Sequence, residues 1–199
     1  MCRFIETIRL DNGEICNLSY HERRLNNTRM HFWHQSTPLQ LSGYITPSRE
    51  TGRIKARIVY GKTGIEEVSY SLYHMREVQS LAIIRSDEID YTYKNTNRES
   101  LNRLFAQRGK CDDILIVKQG LLTDTSIANI ALYDGSNWYT PKHPLLKGTK
   151  RAQLLAQGIV QEKELGPEDL SSFSIIRLFN AMIDWGEQEL PVKALHITF

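Results

Sequence analysis

The alternation of hydrophobic and polar residues predicts two antiparallel hairpins early in the chain. Residues 4–10 alternate as in a strand, residues 11–13 (Asp-Asn-Gly) tolerate a tight turn, and residues 14–18 are expected to form the return strand. A second pair of β-rich runs, 53–60 and 65–73, surrounds another glycine-containing turn. This part of the chain is therefore expected to contain a small antiparallel sheet.

A helix and a loop are expected between the two hairpins. Ser19 and Glu22 have the spacing of a capping box, and a helix is predicted from His21 to about Gln35. Residues 36–52 contain prolines, glycines and hydroxyl side chains, which indicate a loop with at most a short helix.

The rest of the chain mixes strands with helices. The predicted elements are strands 80–85, 113–118, 127–133, 137–140 and 174–180, helices 98–107 and 150–161, and a short helix starting at Pro167. We therefore predict an α/β (α+β) fold of two domains. The first is a small α+β domain over residues 1–74, and the second is a larger domain over residues 75–199.

Composition and charge exclude several classes of protein. The 199 residues are 41% hydrophobic and 24% charged, as in ordinary globular proteins, and the formal net charge is only +2. Such a balance argues against a nucleic-acid coat or a polybasic membrane anchor. The three cysteines are far apart and the beginning of the chain lacks a signal-peptide pattern, so we expect a cytoplasmic protein without membrane segments.

Common metal and nucleotide motifs do not match the sequence. His31 and His34 have helical spacing, but a third ligand at a matching position is missing, and we expect no metal site. The glycine-rich dinucleotide and phosphate-loop patterns do not occur.

Four segments in a fixed order carry a more specific signal. They are residues 21–25 (His-Glu-Arg-Arg-Leu), 93–98 (Tyr-Lys-Asn-Thr-Asn-Arg), 120–130 (Gly-Leu-Leu-Thr-Asp-Thr-Ser-Ile-Ala-Asn-Ile), and 138–141 (Trp-Tyr-Thr-Pro) followed by 145–151 (Leu-Leu-Lys-Gly-Thr-Lys-Arg). Together with the strand Phe4-Ile-Glu-Thr-Ile-Arg9, they resemble the class IV aminotransferases, the fold-type IV enzymes that use pyridoxal 5'-phosphate (PLP). That family includes branched-chain and D-amino-acid aminotransferases and aminodeoxychorismate lyase. The lysine segment is most similar to the lyase branch.

The resemblance implies three residues that act on the PLP ring. Lys94 would be the catalytic lysine that forms a Schiff base with the cofactor and then moves protons. Asp124 would place a carboxylate at the pyridine nitrogen, and Arg98 would approach the O3′ oxygen.

The resemblance also implies the residues that hold the phosphate. Arg24 would grip it with its guanidinium group, and Thr149 and Lys150 would donate backbone N–H groups from a helix N-terminus. Asn180 and Ala181 match the second phosphate-binding turn of the family.

By resemblance, the protein would be a homodimeric lyase with its cofactor between the two domains, forming 4-aminobenzoate and pyruvate for folate synthesis. An aminotransferase acting on branched-chain or D-amino acids remains an alternative. A non-catalytic PLP-binding or interaction protein on the same fold is an alternative of another class.

Two departures from the family pattern bear on activity. The family has glutamate at the position of Asp124, and the family strand that precedes Phe-Glu-Thr has no counterpart here. A smaller substrate pocket, or lost activity, would follow from these differences. Four side chains on the first-domain strands could contact a substrate or could have ordinary surface roles: Arg9, Lys55, Arg57 and Tyr73.

Overall fold

The computed structural model describes residues 2–34, 36–46 and 52–197. The chain divides into two compact units, which are residues 1–75 with 93–97, and residues 76–92 with 98–199. The segment 93–97, which the sequence analysis assigned to the second domain, therefore packs with the first unit. Among the described residues, no helix is long and apolar enough to cross a membrane.

A four-stranded antiparallel sheet forms the first unit. Its strands are β1 (Phe4–Asp11), β2 (Glu14–Ile15), β3 (Arg53–Gly61) and β4 (Gly64–Leu72), in the order β2-β1-β3-β4. Helix α1 (Leu18–Phe32) supplies Leu25 to a core formed by alternate residues of β1 and β3. A 3-10 turn at Leu41–Gly43 is the short helix expected in the loop, although residues 47–51 of that loop lie outside the described residues.

The structure corrects the predicted start of α1. The return strand expected over 14–18 contains only two residues, because the chain turns at Asn17, which adopts a left-handed φ of 53°. The predicted capping box is wrong: the N-cap makes no side-chain hydrogen bond, and Glu22 Oε1 instead accepts from the Leu41 amide at 2.7 Å. The helix ends at Phe32, before Gln35, which lies outside the described residues.

Two sheets and two α-helices form the second unit. The first sheet has the order β13-β5-β6-β7, with β5 (Leu81–Arg85), β6 (Asp113–Lys118), β7 (Leu121–Thr125) and β13 (Leu195–Ile197). The second has the order β10-β9-β8-β11-β12. Its strands are β8 (Asn129–Tyr133), β9 (Trp138–Pro141), β10 (Gln161–Lys163), β11 (Ile175–Phe179) and β12 (Glu189–Pro191).

The helices of this unit are α2 (Glu99–Ala106) and α3 (Thr149–Ala156), with 3-10 turns at Pro167–Ser172 and Val192–Ala194. Helix α3 is shorter than predicted because the chain turns away at Gly158, whose φ is +69°. The predicted mixed α/β class is confirmed.

Strand β7 was missed by the sequence analysis, which placed a strand at 127–133 instead. Thr123, Asp124 and Thr125 are all buried, so this strand lacks the apolar alternation on which strand prediction depends. Residues 126–128 form a turn between β7 and β8, where the Thr125 amide donates to the Ala128 carbonyl at 2.9 Å.

Candidate active site

A buried carboxylate organises the candidate residues of the first unit. Glu6 on β1 is fully buried and accepts two hydrogen bonds from Arg24, from Nε at 2.8 Å and from Nη2 at 2.6 Å. The His21 Nδ1 lies 2.6 Å from the same carboxylate. His21 and Arg24 are neighbours on one face of α1, so the helix presents both to the strand.

Burial and charge act in opposite directions on Glu6. Burial alone would raise the pKa of this carboxyl, but Arg24 and the hydrogen bonds from His21 and Arg24 lower it to about 2. Burial lowers the pKa of His21, and the positive charges of Arg24 and Lys94 lower it further against the opposing effect of Glu6. The cluster therefore combines an ionised carboxylate with a neutral imidazole at neutral pH.

Lys94 belongs to the same neighbourhood as this cluster. Its carbonyl accepts from the Ile5 amide at 2.8 Å, and Asn95 forms an isolated antiparallel bridge with Phe4. The segment thus adds one short pairing to β1, next to Glu6. This pairing brings Lys94 close enough for its charge to affect the pKa of His21.

Glu6 and His21 were not identified as functional residues by the sequence analysis. A signal was present for Glu6, because it alternates with Phe4, Ile8 and Leu10 on the buried face of β1. Acidic residues are almost never fully buried unless they are paired, so a glutamate in that register indicates a buried cationic partner.

In the second unit, Asp124 lies on β7 and is 5% exposed. Its Oδ1 accepts from Asn129 Nδ2 at 2.8 Å, and its Oδ2 accepts from the Leu146 amide at 2.8 Å. Asn129 Nδ2 also donates to the Leu146 carbonyl at 2.9 Å, which ties the loop before α3 to the end of β7. Asp124 is therefore held in place at both oxygens.

Both of these partners are neutral, so they compensate the charge of Asp124 incompletely. Burial raises the pKa of Asp124 to about 7, although the bonds from Leu146 and Asn129 and the charge of Arg151 oppose the shift. A cationic N–H group next to this carboxyl would stabilise its ionised form. The protonated pyridine nitrogen of PLP is such a group, so the environment of Asp124 fits that cofactor.

Arg98 and Asn180 fix the turn that follows Asp124. Arg98 Nη2 donates to the Ser126 carbonyl at 2.8 Å, and its Nη1 donates to the Tyr91 hydroxyl at 3.1 Å. Asn180 Nδ2 donates to the Ile127 carbonyl at 3.1 Å. The two side chains thus hold consecutive carbonyls of one turn.

The two predicted phosphate-binding segments also lie in this unit. Thr149 and Lys150 are the first residues of α3, where a helix directs backbone N–H groups and positive potential outward. The side chain of Asn180 shapes its own turn, since Oδ1 accepts from the Met182 amide at 2.7 Å and the Ile183 amide at 2.9 Å. Ala181 is half-buried within that turn.

Gly148, which precedes α3, is required by close packing. A Cβ atom at this position would overlap the Oδ1 of Asn129. The start of α3 therefore lies directly against the amide that holds Asp124.

The predicted site residues thus fall into two groups. Arg24 and Lys94 lie in the first unit, and the other six lie in the second: Arg98, Asp124, Thr149, Lys150, Asn180 and Ala181. Of the suggested substrate contacts, Arg9 pairs with Asp11 and Arg57 pairs with Glu67 at 3.3 Å.

Comparisons with known proteins show the family to which the chain belongs. The model of the family described as "Amino-transferase class IV" matches residues 63–189. An uncharacterised protein of Haemophilus influenzae is 35% identical over 187 residues, which cover 92% of this chain and 98% of that protein. A crystal structure from Haemophilus somnus, named a "putative 4-amino-4-deoxychorismate lyase", superposes with a TM-score of 0.85 at 34% identity, covering 92% of this chain and 97% of that one.

A shorter match carries a similar functional name. A Schizosaccharomyces pombe protein named "Putative aminodeoxychorismate lyase" is 38% identical over 98 residues, covering 44% of this chain and 42% of that protein. With the family model matching more than half of its residues and a full-length relative above 30% identity, the chain belongs to the class IV aminotransferase family, whose cofactor is PLP.

Proposed function

We propose that this protein is a PLP-dependent lyase that converts aminodeoxychorismate into 4-aminobenzoate and pyruvate, a reaction of folate synthesis. The observation that carries the proposal is the buried Asp124 carboxyl, held by neutral partners in a family that uses PLP. The lyase reaction, rather than transamination, is supported by the names of two relatives above 30% identity, the Haemophilus somnus and Schizosaccharomyces pombe proteins.

In this proposal, Asp124, Arg24 and the start of α3 hold the cofactor. Asp124 would hold a proton at the pyridine nitrogen, and Arg24, oriented by Glu6, would bind the phosphate. As the resemblance implies, the first-turn N–H groups of α3 would donate to the cofactor phosphate. When bound, PLP supplies an electron sink for bond changes next to the substrate nitrogen.

Lys94 would perform the proton transfer. It would accept the proton from the ring carbon that carries the substrate amine, after which the enolpyruvyl group leaves and the ring becomes aromatic. The two products together contain all atoms of the substrate, so the reaction needs neither an oxidant nor a second keto acid.

A direct assay tests the proposal. The purified protein, loaded with PLP, is incubated with aminodeoxychorismate, and 4-aminobenzoate and pyruvate are measured together. We expect both products in equal amounts without an added keto acid. Formation of neither product, with PLP bound, would refute the lyase proposal.

An aminotransferase is the second candidate, because the family as a whole carries that name. It alternates between two half-reactions and needs a keto acid for turnover. A panel of branched-chain and D-amino acids, each with and without 2-oxoglutarate, separates the two. Turnover that depends on the keto acid would favour the aminotransferase, and a protein that binds PLP without turnover would be the non-catalytic alternative.

We also infer that the protein acts as a homodimer, as the resemblance implies. Light scattering coupled to size-exclusion chromatography would give twice the chain mass of 23.0 kDa for a dimer. A single-chain mass at assay concentration would contradict this inference.

A further inference from the structure

We infer that Asp184 is a positioning residue for the phosphate of PLP: its ion pair with Lys150 holds the turn over residues 180–188 to the first turn of α3. The inference rests on the proposed function, because it assumes that both segments bind the phosphate. Asp184 does not belong to any of the four family-like segments, and its role emerges only from the structure.

The ion pair is short and partly protected from water. Lys150 Nζ lies 2.5 Å from Asp184 Oδ1; the lysine side chain is 13% exposed and the aspartate side chain 43%. Gln153, one turn further along α3, accepts from the same ammonium group at 3.1 Å. The lysine is therefore held along its own helix and cannot follow Asp184 freely.

Asp184 is itself fixed within its turn. Its Oδ1 accepts from the Trp185 amide at 2.8 Å, and its own amide donates to Glu187 Oε2 at 2.6 Å. The carboxylate is thus fixed relative to the turn. Its ion pair with Lys150 therefore ties the lysine to the turn.

Aromatic packing makes the far side of the turn rigid. The Trp185 ring packs edge-on against Phe179 at 5.5 Å and against Trp138 at 5.1 Å. The Arg177 guanidinium lies over both tryptophans, 4.3 Å from the Trp138 ring and 4.8 Å from the Trp185 ring, and pairs with Glu189 at 2.8 Å. Such cation–π contacts add to the packing energy of the rings.

The Asn180 side chain fixes the near side of the turn. Its Oδ1 accepts from the Met182 and Ile183 amides, and its Nδ2 donates to the Ile127 carbonyl. With both sides fixed, the Lys150–Asp184 pair sets the separation between the turn and the start of α3. Anion binding by backbone N–H groups depends on that separation, because each hydrogen bond tolerates only a few tenths of an ångström. A preformed arrangement also lowers the ordering cost of binding.

The ion pair with Asp184 also neutralises the positive charge of Lys150. If Lys150 Nζ bound the phosphate directly, removing Asp184 would release the ammonium group and strengthen PLP binding. If the pair positions the two segments, removing Asp184 weakens PLP binding. The two roles therefore predict opposite signs for one substitution.

The experiment titrates the cofactor-free protein with PLP and, separately, with pyridoxal, which lacks the phosphate. We expect Asp184→Asn to raise the Kd for PLP about fivefold, equivalent to roughly one lost hydrogen bond, and to leave the Kd for pyridoxal unchanged. Lys150→Met should give the same change, and the double variant should add little to either. Glu164→Gln is the matched control, because it breaks the exposed Lys142–Glu164 pair of the same unit.

The outcomes separate this inference from the proposed function. Unchanged or tighter PLP binding by Asp184→Asn overturns the positioning role, as does an equal loss for PLP and pyridoxal. Failure of the wild-type protein to bind PLP would instead overturn the proposed function. If Asp184→Asn does not fold, as judged by thermal melting, the titrations use Asp184→Ser against the Glu164→Gln control, and unchanged or tighter PLP binding by that variant overturns the positioning role.

Discussion

Two buried carboxyl groups in this protein have pKa values shifted in opposite directions, and their partners explain the difference. Glu6 accepts hydrogen bonds from a guanidinium group, which holds its pKa at about 2. Asp124 accepts from an amide side chain and a backbone N–H, so burial dominates and raises its pKa to about 7. At the scale of single residues, the first group is a permanent anion and the second is able to titrate near neutral pH.

Replacement of Asp124 by asparagine should change how stability depends on pH. The pKa of Asp124 rises from 3.8 in the unfolded chain to about 7 in the fold, so the folded state holds an extra proton between these values. Wild-type stability relative to Asp124→Asn should therefore fall as pH rises from about 4 to 7, with a slope approaching about 1.4 kcal/mol per pH unit. Urea unfolding of the cofactor-free proteins measures this difference.

Asp134→Asn provides a control of opposite sign. Hydrogen bonds from the Asn137 and Ser136 amides lower the pKa of this exposed carboxyl. Its contribution to stability is present above the unfolded pKa and is lost as pH falls. Parallel pH profiles for wild type and Asp124→Asn would contradict the assignment of Asp124 as a buried titrating group.

Replacement of Glu6 by glutamine should destabilise the protein strongly at neutral pH. The folded pKa of about 2 lies below the unfolded value of 4.5, so the stabilisation is complete above 4.5 and disappears as pH falls towards 2. Breaking this buried pair should cost about 3 kcal/mol at pH 7. Glu66→Gln, which breaks the exposed pair with Arg3, should cost less than about 1 kcal/mol. Equal losses in denaturant unfolding would argue against a special role for Glu6.

The start of α3 shows how one secondary-structure element supports the candidate site. Gly148 allows the helix to begin against Asn129, whose amide also holds Asp124 and the Leu146 carbonyl. The helix N-terminus and the Asp124 carboxyl are thus coupled through one side chain. A shift of the helix start towards Asn129 would displace this side chain and with it a hydrogen bond of Asp124.

Gly148→Ala should disturb this coupling. The added Cβ would overlap Asn129 Oδ1, so either the helix start or the amide must move. We expect a loss of about 1–3 kcal/mol in unfolding free energy together with weaker PLP binding. Gly43→Ala is the control, since no atom lies within 4 Å of a Cβ at that position. A variant as stable as Gly43→Ala, with unchanged PLP affinity, would contradict the coupling.

At the scale of the whole molecule, the proposed function depends on Lys94, the lysine proposed to bond the cofactor. Lys94 is distant in sequence from Glu6, His21 and Arg24, yet its segment pairs with β1 and joins them in the first unit. A short return of the chain to the first unit therefore completes the cluster of charged groups.

Lys94→Ala should abolish product formation and covalent attachment of PLP without unfolding the protein, because its anchoring hydrogen bond uses the backbone carbonyl. Borohydride reduction followed by peptide mass spectrometry locates the attachment site in the wild type. Lys62→Ala, in the exposed turn between β3 and β4, should behave as wild type. Product formation by Lys94→Ala at the wild-type rate would exclude the proposed mechanism.

The sequence alone was sufficient to predict the mixed α/β class, the positions of most helices and strands, and the family. Alternating strands such as β1 and β3, and turns such as Asp11-Asn12-Gly13, depend on local residue order, which a single sequence displays. The same holds for the four segments that resemble the family. Strand β7 was missed because its buried threonines and Asp124 are satisfied by distant partners such as Leu146 and the Ile116 carbonyl.

Only the tertiary structure decided which groups share an environment. The Glu6–Arg24–His21 cluster, the return of residues 93–97 to β1 and the Lys150–Asp184 pair join residues that are separated along the chain. The pKa values of Glu6 and Asp124 depend on contacts with distant residues and on burial. The local pattern of residues predicts neither the contacts nor the burial. The physical reason is that residue periodicity reports on local conformation, whereas charge stabilisation and desolvation depend on the partners that folding brings together.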